Sequence, residues 1–228
     1  ELLMATSGSR DFEPDVAEYI EEAYERCGLE YRTAYDGITA RRSLNLLMAD
    51  WANRGLNQWT VQNTNFTLTL GQTYQDLDAY TIDVLDVIVR RTISGSDTDI
   101  QMNQISRAEY WNIPNKDTQA RPTQWFLDKT VTPRLYIWPA SENSSDKIYM
   151  NRLIRIEDAD ASANTVDMPF RFYPALAAGL AYYMSMKRAP DRTPALKIIY
   201  DEEFERAADQ DESRAPFQVS PNMRSFGY

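Results

Sequence analysis

Apolar residues recur at helical spacing near both ends of the chain and at alternating spacing between them. Val16, Tyr19, Ile20, Ala23, Tyr24 and Cys27 mark one face of a helix over residues 14–27, with Pro14 in its first turn and Gly28 at its exit. Asp15, Glu18, Glu21, Glu22 and Glu25 fall mainly on the opposite, solvated face. A second helix is predicted from an N-cap at Asp36 to about Arg54, stopped by Gly55, with Ala40, Leu44, Leu47, Met48 and Trp51 inward. Pro169 opens a third helix with Phe170, Tyr173, Leu176, Ala177, Leu180, Ala181 and Met184 inward, and Pro190 ends it. Thr193 and Pro194 start a fourth, where Leu196, Ile199, Tyr200, Phe204 and Ala207 keep the same spacing. Its other face is acidic, which suits a solvated surface.

From Trp59 the period becomes two. Phe66, Leu68 and Leu70 share one face of a strand that Gly71 ends. Residues 80–93 are β-branched and apolar, but their alternation slips near Leu85, which predicts a bulge or a strand covered on both faces. Residues 94–98 read as a turn, 100–105 as a short strand, and 106–111 as one helical turn capped by Ser106. The segment RPTQWFLDKTVTPRLYIWPAS, residues 121–141, alternates over 124–128, breaks over 129–133 and alternates again over 134–138. That is the signature of a hairpin, and it reads as core. Residues 147–156 form one more strand, giving about six in all, enough for a small antiparallel sheet or sandwich.

Residues 213–228 carry no acidic side chain, two prolines and no helical period, yet include Phe217, Val219, Met223, Phe226 and Tyr228. Such a segment is either a frayed tail or a peptide that orders when it docks on a partner.

Composition narrows the chemistry. No apolar run approaches the roughly 20 residues that span a bilayer, so no membrane partner is expected. The opening ELLMATSGSR lacks the basic-then-apolar order of an export signal, and Met4 is a candidate native start. The single Cys27 excludes an internal disulfide and a cysteine-based zinc site, and its helical register reads as a buried thiol. The absence of histidine removes serine triads and histidine-ligated zinc. No catalytic, cofactor or metal residue is therefore assigned. A net charge of -10 opposes a surface that grips nucleic acid, and is compatible with a wall that DNA passes without sticking.

The order of motifs carries more than any motif alone. A helical pair containing ARRSLNLLMADWANRGLNQWTV, then DVLDVIVR, ISRAEYWNIPNK, RPTQWFLDK and RLYIWP, then closing helices, resembles phage head-to-tail adaptors, most nearly the podovirus tail tubular protein A type. The resemblance spans roughly residues 14–212. It implies a non-enzymatic structural protein of the virion, made in the host cytoplasm and placed at the head-to-tail junction. Its implied partners are itself, in a ring expected to be a dodecamer, the portal protein, the tail nozzle protein, and viral DNA in passage without specific binding. It also assigns portal docking to Phe217, Val219, Met223, Phe226 and Tyr228. Pattern and resemblance together predict an α+β fold in which N- and C-terminal helices form a bundle and an antiparallel β-sheet or sandwich region is inserted. The expected division is an arm over 1–13, the bundle over 14–58 and 168–212, the β-rich region over 59–167 and an extended docking tail over 213–228.

Two other classes stay open on the sequence alone. A virion-associated carboxylate-based glycoside hydrolase needs two acids about 5–9.5 Å apart in a cleft, one with a raised pKa. A β-rich carbohydrate- or protein-binding module would hold Trp125 or Trp138 at its surface.

Overall fold

The computed structural model describes residues 8–54 and 58–211. The fold is α+β, in the order α1 (Val16–Arg26), α2 (Ala34–Asn53), β1 (Val61–Thr67), β2 (Tyr74–Asp76), β3 (Thr81–Ile93), β4 (Ser96–Gln101), β5 (Asn103–Gln104), α3 (Arg107–Asn112), β6 (Gln119–Ala120), β7 (Gln124–Asp128), β8 (Arg134–Trp138), β9 (Ala140–Ser141), β10 (Lys147–Ile154), α4 (Tyr173–Arg188) and α5 (Thr193–Asp211).

Reciprocal capping boxes set the starts of three helices: Asp15 with Glu18, Thr33 with Asp36, and Ser106 with Glu109. This moves two expected boundaries. Pro14 lies just before the cap of α1 instead of in its first turn, and Asp36 is the third residue of α2 while Thr33 caps it. Beyond α1, Gly28 sits at φ 68°, and a Cβ there would lie 2.6 Å from the Arg192 guanidinium. That guanidinium donates to the Arg26 carbonyl at 3.1 Å, so the glycine admits both the turn and the cation that satisfies the helix end.

Helix α4 is surrounded. Residues from Ala175 to Ala181 are all buried, because α1, α2 and α5 pack around this one helix. Close approach requires small side chains, and Ala175, Ala177, Ala178, Gly179 and Ala181 provide them. A Cβ on Gly179 would fall 2.8 Å from Leu47 Cδ2 and 2.9 Å from Tyr200 Cε2, so α2 and α5 close on α4 where a side chain is missing. Tyr200 also accepts a hydrogen bond from Trp51 Nε1 at 2.8 Å, which ties α2 to α5 across the core.

The strands form a sandwich. One sheet runs β1-β10-β3-β4, all antiparallel, and the other runs β2-β8-β7-β5. Val84, Val87, Val89, Ile148 and Met150 from the first meet Trp125, Leu127, Leu135 and Ile137 from the second in one apolar cluster. The slip near Leu85 is a bulge: Asp86 pairs with Asn151 and Val84 with Arg152, leaving Leu85 without a partner. The hairpin of β7 and β8 has the predicted limits and register, from Gln124 opposite Trp138 to Asp128 opposite Arg134.

Among the described residues, ten strands replace the expected six or so, because β2, β5, β6 and β9 have only two or three residues, too short to show a period. Two pairings are parallel, β5 with β7 and β6 with β9. The turn expected over 94–98 is confined to Ser94 and Gly95, both at positive φ, and β4 begins at Ser96. Polar β4 escapes periodicity because it is held by side-chain pairs, Arg90 with Asp99 at 2.6 Å and Thr92 with Asp97 at 2.6 Å. Leu70 is exposed because β1 ends at Thr67. Phe170 turns outward on a 3-10 turn that buries Phe172 instead, and Ile199 is exposed on α5.

Gly179→Val is expected to lower the unfolding free energy by about 2–3 kcal/mol, seen as a lower urea midpoint. Gly179→Ala should cost less, because alanine returns about 1 kcal/mol of helix propensity.

Candidate functional site

The residues assigned to portal docking, Phe217, Val219, Met223, Phe226 and Tyr228, lie outside the described residues. What surrounds the end of α5 is described. Asp211 pairs with Arg171, the chain neighbour of Phe170, and Phe170 lines an apolar groove of about 380 Å³ with Phe12, Pro14, Tyr19 and Tyr173. Glu18, Glu22 and Arg26 also line it. Phe12 and Phe170 are exposed here.

A second surface lies on the outer face of the β2-β8-β7 sheet. Cross-strand register aligns Tyr74, Tyr136 and Phe126 in one row and Asp76, Arg134 and Asp128 in the next. Phe126 and Tyr136 stack with their rings 13° from parallel, and Tyr110 of α3 closes the row with its centroid 5.0 Å from that of Tyr136. The charged row alternates in sign. Arg134 donates to Asp76 at 2.6 Å with its guanidinium 4.2 Å above the Tyr74 ring, and Arg107 pairs with Asp128. The inward residues of the hairpin could be read from alternation, but this row required the register and the position of α3.

A third region joins bundle and sandwich. A groove of about 680 Å³ is lined by Met48, Gln62, Tyr80 and residues 154–160 and 164–167. Glu157, Asp158, Asp160 and Asp167 make it acidic. Among the described residues, no cluster of three or more His, Cys, Asp or Glu side chains could hold a metal. Beside it, buried Arg152 donates to Asp78 at 2.6 Å, Gln62 at 2.8 Å, Thr81 at 3.1 Å and Tyr80 at 3.2 Å. That network satisfies the guanidinium from β1, β3 and the loop before β3, so it fixes the sheet where it meets the helices.

Among the described residues, four carboxyls are held below the usual range: Asp78 by the Arg152 hydrogen bond, Asp99 by Arg90, Asp36 by Thr33 and then Arg188, and Glu109 by the Ser106 backbone. A glycosidase acid needs the opposite shift. Burial raises the pKa of the Cys27 thiol, whose Sγ lies 3.3 Å from the Ala181 carbonyl, so this cysteine is a core residue. Trp125 is buried, and Trp138 is half-buried with its Nε1 donating to the Asn115 carbonyl at 3.1 Å. Of the two residues that a carbohydrate- or protein-binding module would hold at its surface, Trp125 lies in the core and Trp138 is partly accessible.

Helix exteriors supply a fourth feature. Tyr35, Ile38 and Leu46 project from α2, and Ile198 and Ile199 from α5, into solvent. Tyr35, Ile38 and Leu46 continue helical spacing on the face opposite the α2 core residues, but Ile199 shares the spacing of the inward face of α5, so only the packing shows that these positions stay uncovered.

Surfaces of this kind belong to proteins that assemble with other proteins. The family profile described as SU10 adaptor protein matches residues 11–224, and the chain belongs to that family. It is a phage adaptor, a structural component of the virion that associates with other virion proteins. A comparison with curated proteins returned no match.

A depressed carboxyl pKa contributes stability that is fully present above the unfolded value, near 4, and is lost as pH falls through the lower folded value. Stability should therefore be flat near neutrality and drop below about pH 4, measured by denaturant titration across pH. Asp78→Asn should cost about 1–2 kcal/mol at pH 7 by leaving Arg152 short of a charged acceptor, and its difference from the wild type should shrink below pH 4.

Proposed function

We propose that the protein forms a ring between the portal and the tail nozzle, through which viral DNA passes, in the manner of tail tubular protein A. The observation that carries this reading is the adaptor family match across residues 11–224, joined to a motif order that resembles head-to-tail adaptors. Three properties support it. Helix α4 uses its whole circumference to hold α1, α2 and α5, which gives a rigid body suited to bearing load in a particle. Large apolar side chains nevertheless remain outside the bundle, where a neighbouring protein would cover them. A net charge of -10 favours a channel wall that repels phosphate, since a basic wall would retain DNA by displacing its counterions.

In this reading the ends of the helical bundle and the C-terminal segment face the portal, with Phe217, Val219, Met223, Phe226 and Tyr228 as apolar anchors. The nozzle protein binds elsewhere on the ring.

The test is the mass of the complex formed when the full chain is mixed with portal from the same phage. A ring of many copies on each portal is the expected result, and a chain that stays monomeric and never joins the portal overturns it. Deleting residues 213–228 should weaken portal binding by roughly 100-fold or more with the fold unchanged by circular dichroism. Unchanged affinity would remove the anchoring role from that segment while leaving the ring intact.

A further inference from the structure

The ring is built from copies of one chain, so each copy must offer two different faces that fit each other. This deepens the ring reading and rests on it. Helix α2 carries one continuous exposed stripe, Tyr35, Ile38, Arg42, Leu46, Ala49 and Asn53, at the three- and four-residue steps of a single helical face. Tyr35 is 70% exposed and Leu46 54%, so a third or more of each large side chain's surface still awaits a partner. Arg42 is the only charge in the stripe.

Helix α5 carries the counterpart. Its outward stripe is Ile198, Glu202, Glu205 and Asp209, flanked by Ile199, with Ile198 61% exposed. Apolar residues thus lie toward the start of the stripe and acids toward its end. The α2 stripe offers apolar residues and one cation, and the α5 stripe offers apolar residues and three anions, so the two are complementary in both respects.

Position in the bundle also suits a ring. Helices α1, α2 and α5 each pack on α4, with α1 reaching the Ala181 carbonyl through Cys27, α2 meeting Gly179 through Leu47, and α5 meeting Tyr182 through Tyr200, whose rings stack 5.8 Å apart. The α2 and α5 stripes are the exposed positions of these helices and lie on the outside of the bundle. Helix α1 is a poor alternative partner, because its exposed positions are Ala17, Glu18, Glu21, Glu22 and Glu25, with no large apolar residue. Two copies meeting α2 to α2 would place Arg42 near Arg42 and leave the α5 stripe uncovered.

We infer that neighbouring subunits of the ring join through the α2 stripe of one copy and the α5 stripe of the next. Leu46 meets Ile198 and Ile199, and Arg42 faces Glu202 or Glu205, with the two helices antiparallel.

Cysteine mapping on portal-bound rings tests it. The chain's sole native thiol, Cys27, is buried, so an adaptor-to-adaptor product reports on the introduced cysteines. Mixing Leu46→Cys chains with Ile198→Cys chains and adding a short bismaleimide should yield a covalent two-chain product that neither variant gives by itself. Arg42→Glu should raise the concentration needed for ring assembly roughly 10-fold, and adding Glu202→Arg with Glu205→Arg should restore it. Rings that form normally but give neither the product nor the charge effect overturn this pairing and leave the ring reading standing. Product from Leu46→Cys alone likewise overturns it, in favour of a symmetric joint. If the wild type forms no ring on the portal, both readings fall.

Discussion

Everything in the helical half depends on how closely α2 and α5 can approach α4. Helices that meet through alanine and glycine sit near the lower limit of interaxial distance, and contact between them is then set by backbone and short side chains. Gly179 is where this is tightest, with Leu47 and Tyr200 filling the space a Cβ would take. Once that approach is made, Trp51 reaches the Tyr200 hydroxyl, the Trp51, Phe172 and Phe204 rings pack together, and Arg54 lies 4.9 Å over Phe204. The N-terminal and C-terminal helices become one body even though the whole β-region separates them in the chain.

The sandwich follows a different rule. Its core uses large side chains, Trp125 chief among them, and its edges are secured by ion pairs. Asp146, buried, accepts from Arg91 at 2.6 Å, and Arg91 also pairs with Glu142 at 2.6 Å. Arg152 does the same at the junction with the helices. Such pairs add limited net stability, because desolvation offsets much of the attraction, but a buried cation with several acceptors loses them when the register slips. A protein that serves as a part in a particle needs that fixed geometry more than it needs extra stability.

Much of this was legible beforehand. The inward faces of α1 and α2, the limits of the β7–β8 hairpin, the Ser106 cap and the irregularity at Leu85 all follow from periodicity and turn chemistry, which act over a few neighbouring residues. The misreadings have a common cause. Asp36 and Thr33 are both good caps, and only the folded backbone decides between them. Phe170 and Ile199 keep the helical period yet point outward, because a 3-10 turn rotates the first and the packing of α4 leaves the second uncovered. The shortest strands are invisible since two residues have no period.

Local pattern in the sequence determined the helices, the longer strands, the apolar composition of each core face and the membership in an adaptor family that motif order foreshadowed. Tertiary structure alone decided that α4 stands at the centre with three helices around it, that Tyr74, Tyr136, Phe126 and Tyr110 align on one surface, and that apolar stripes on α2 and α5 remain uncovered. The division has a physical reason. Burial along a helix or strand is coded every two to four residues, whereas which face meets which neighbour depends on side-chain volume and register between segments far apart in the chain.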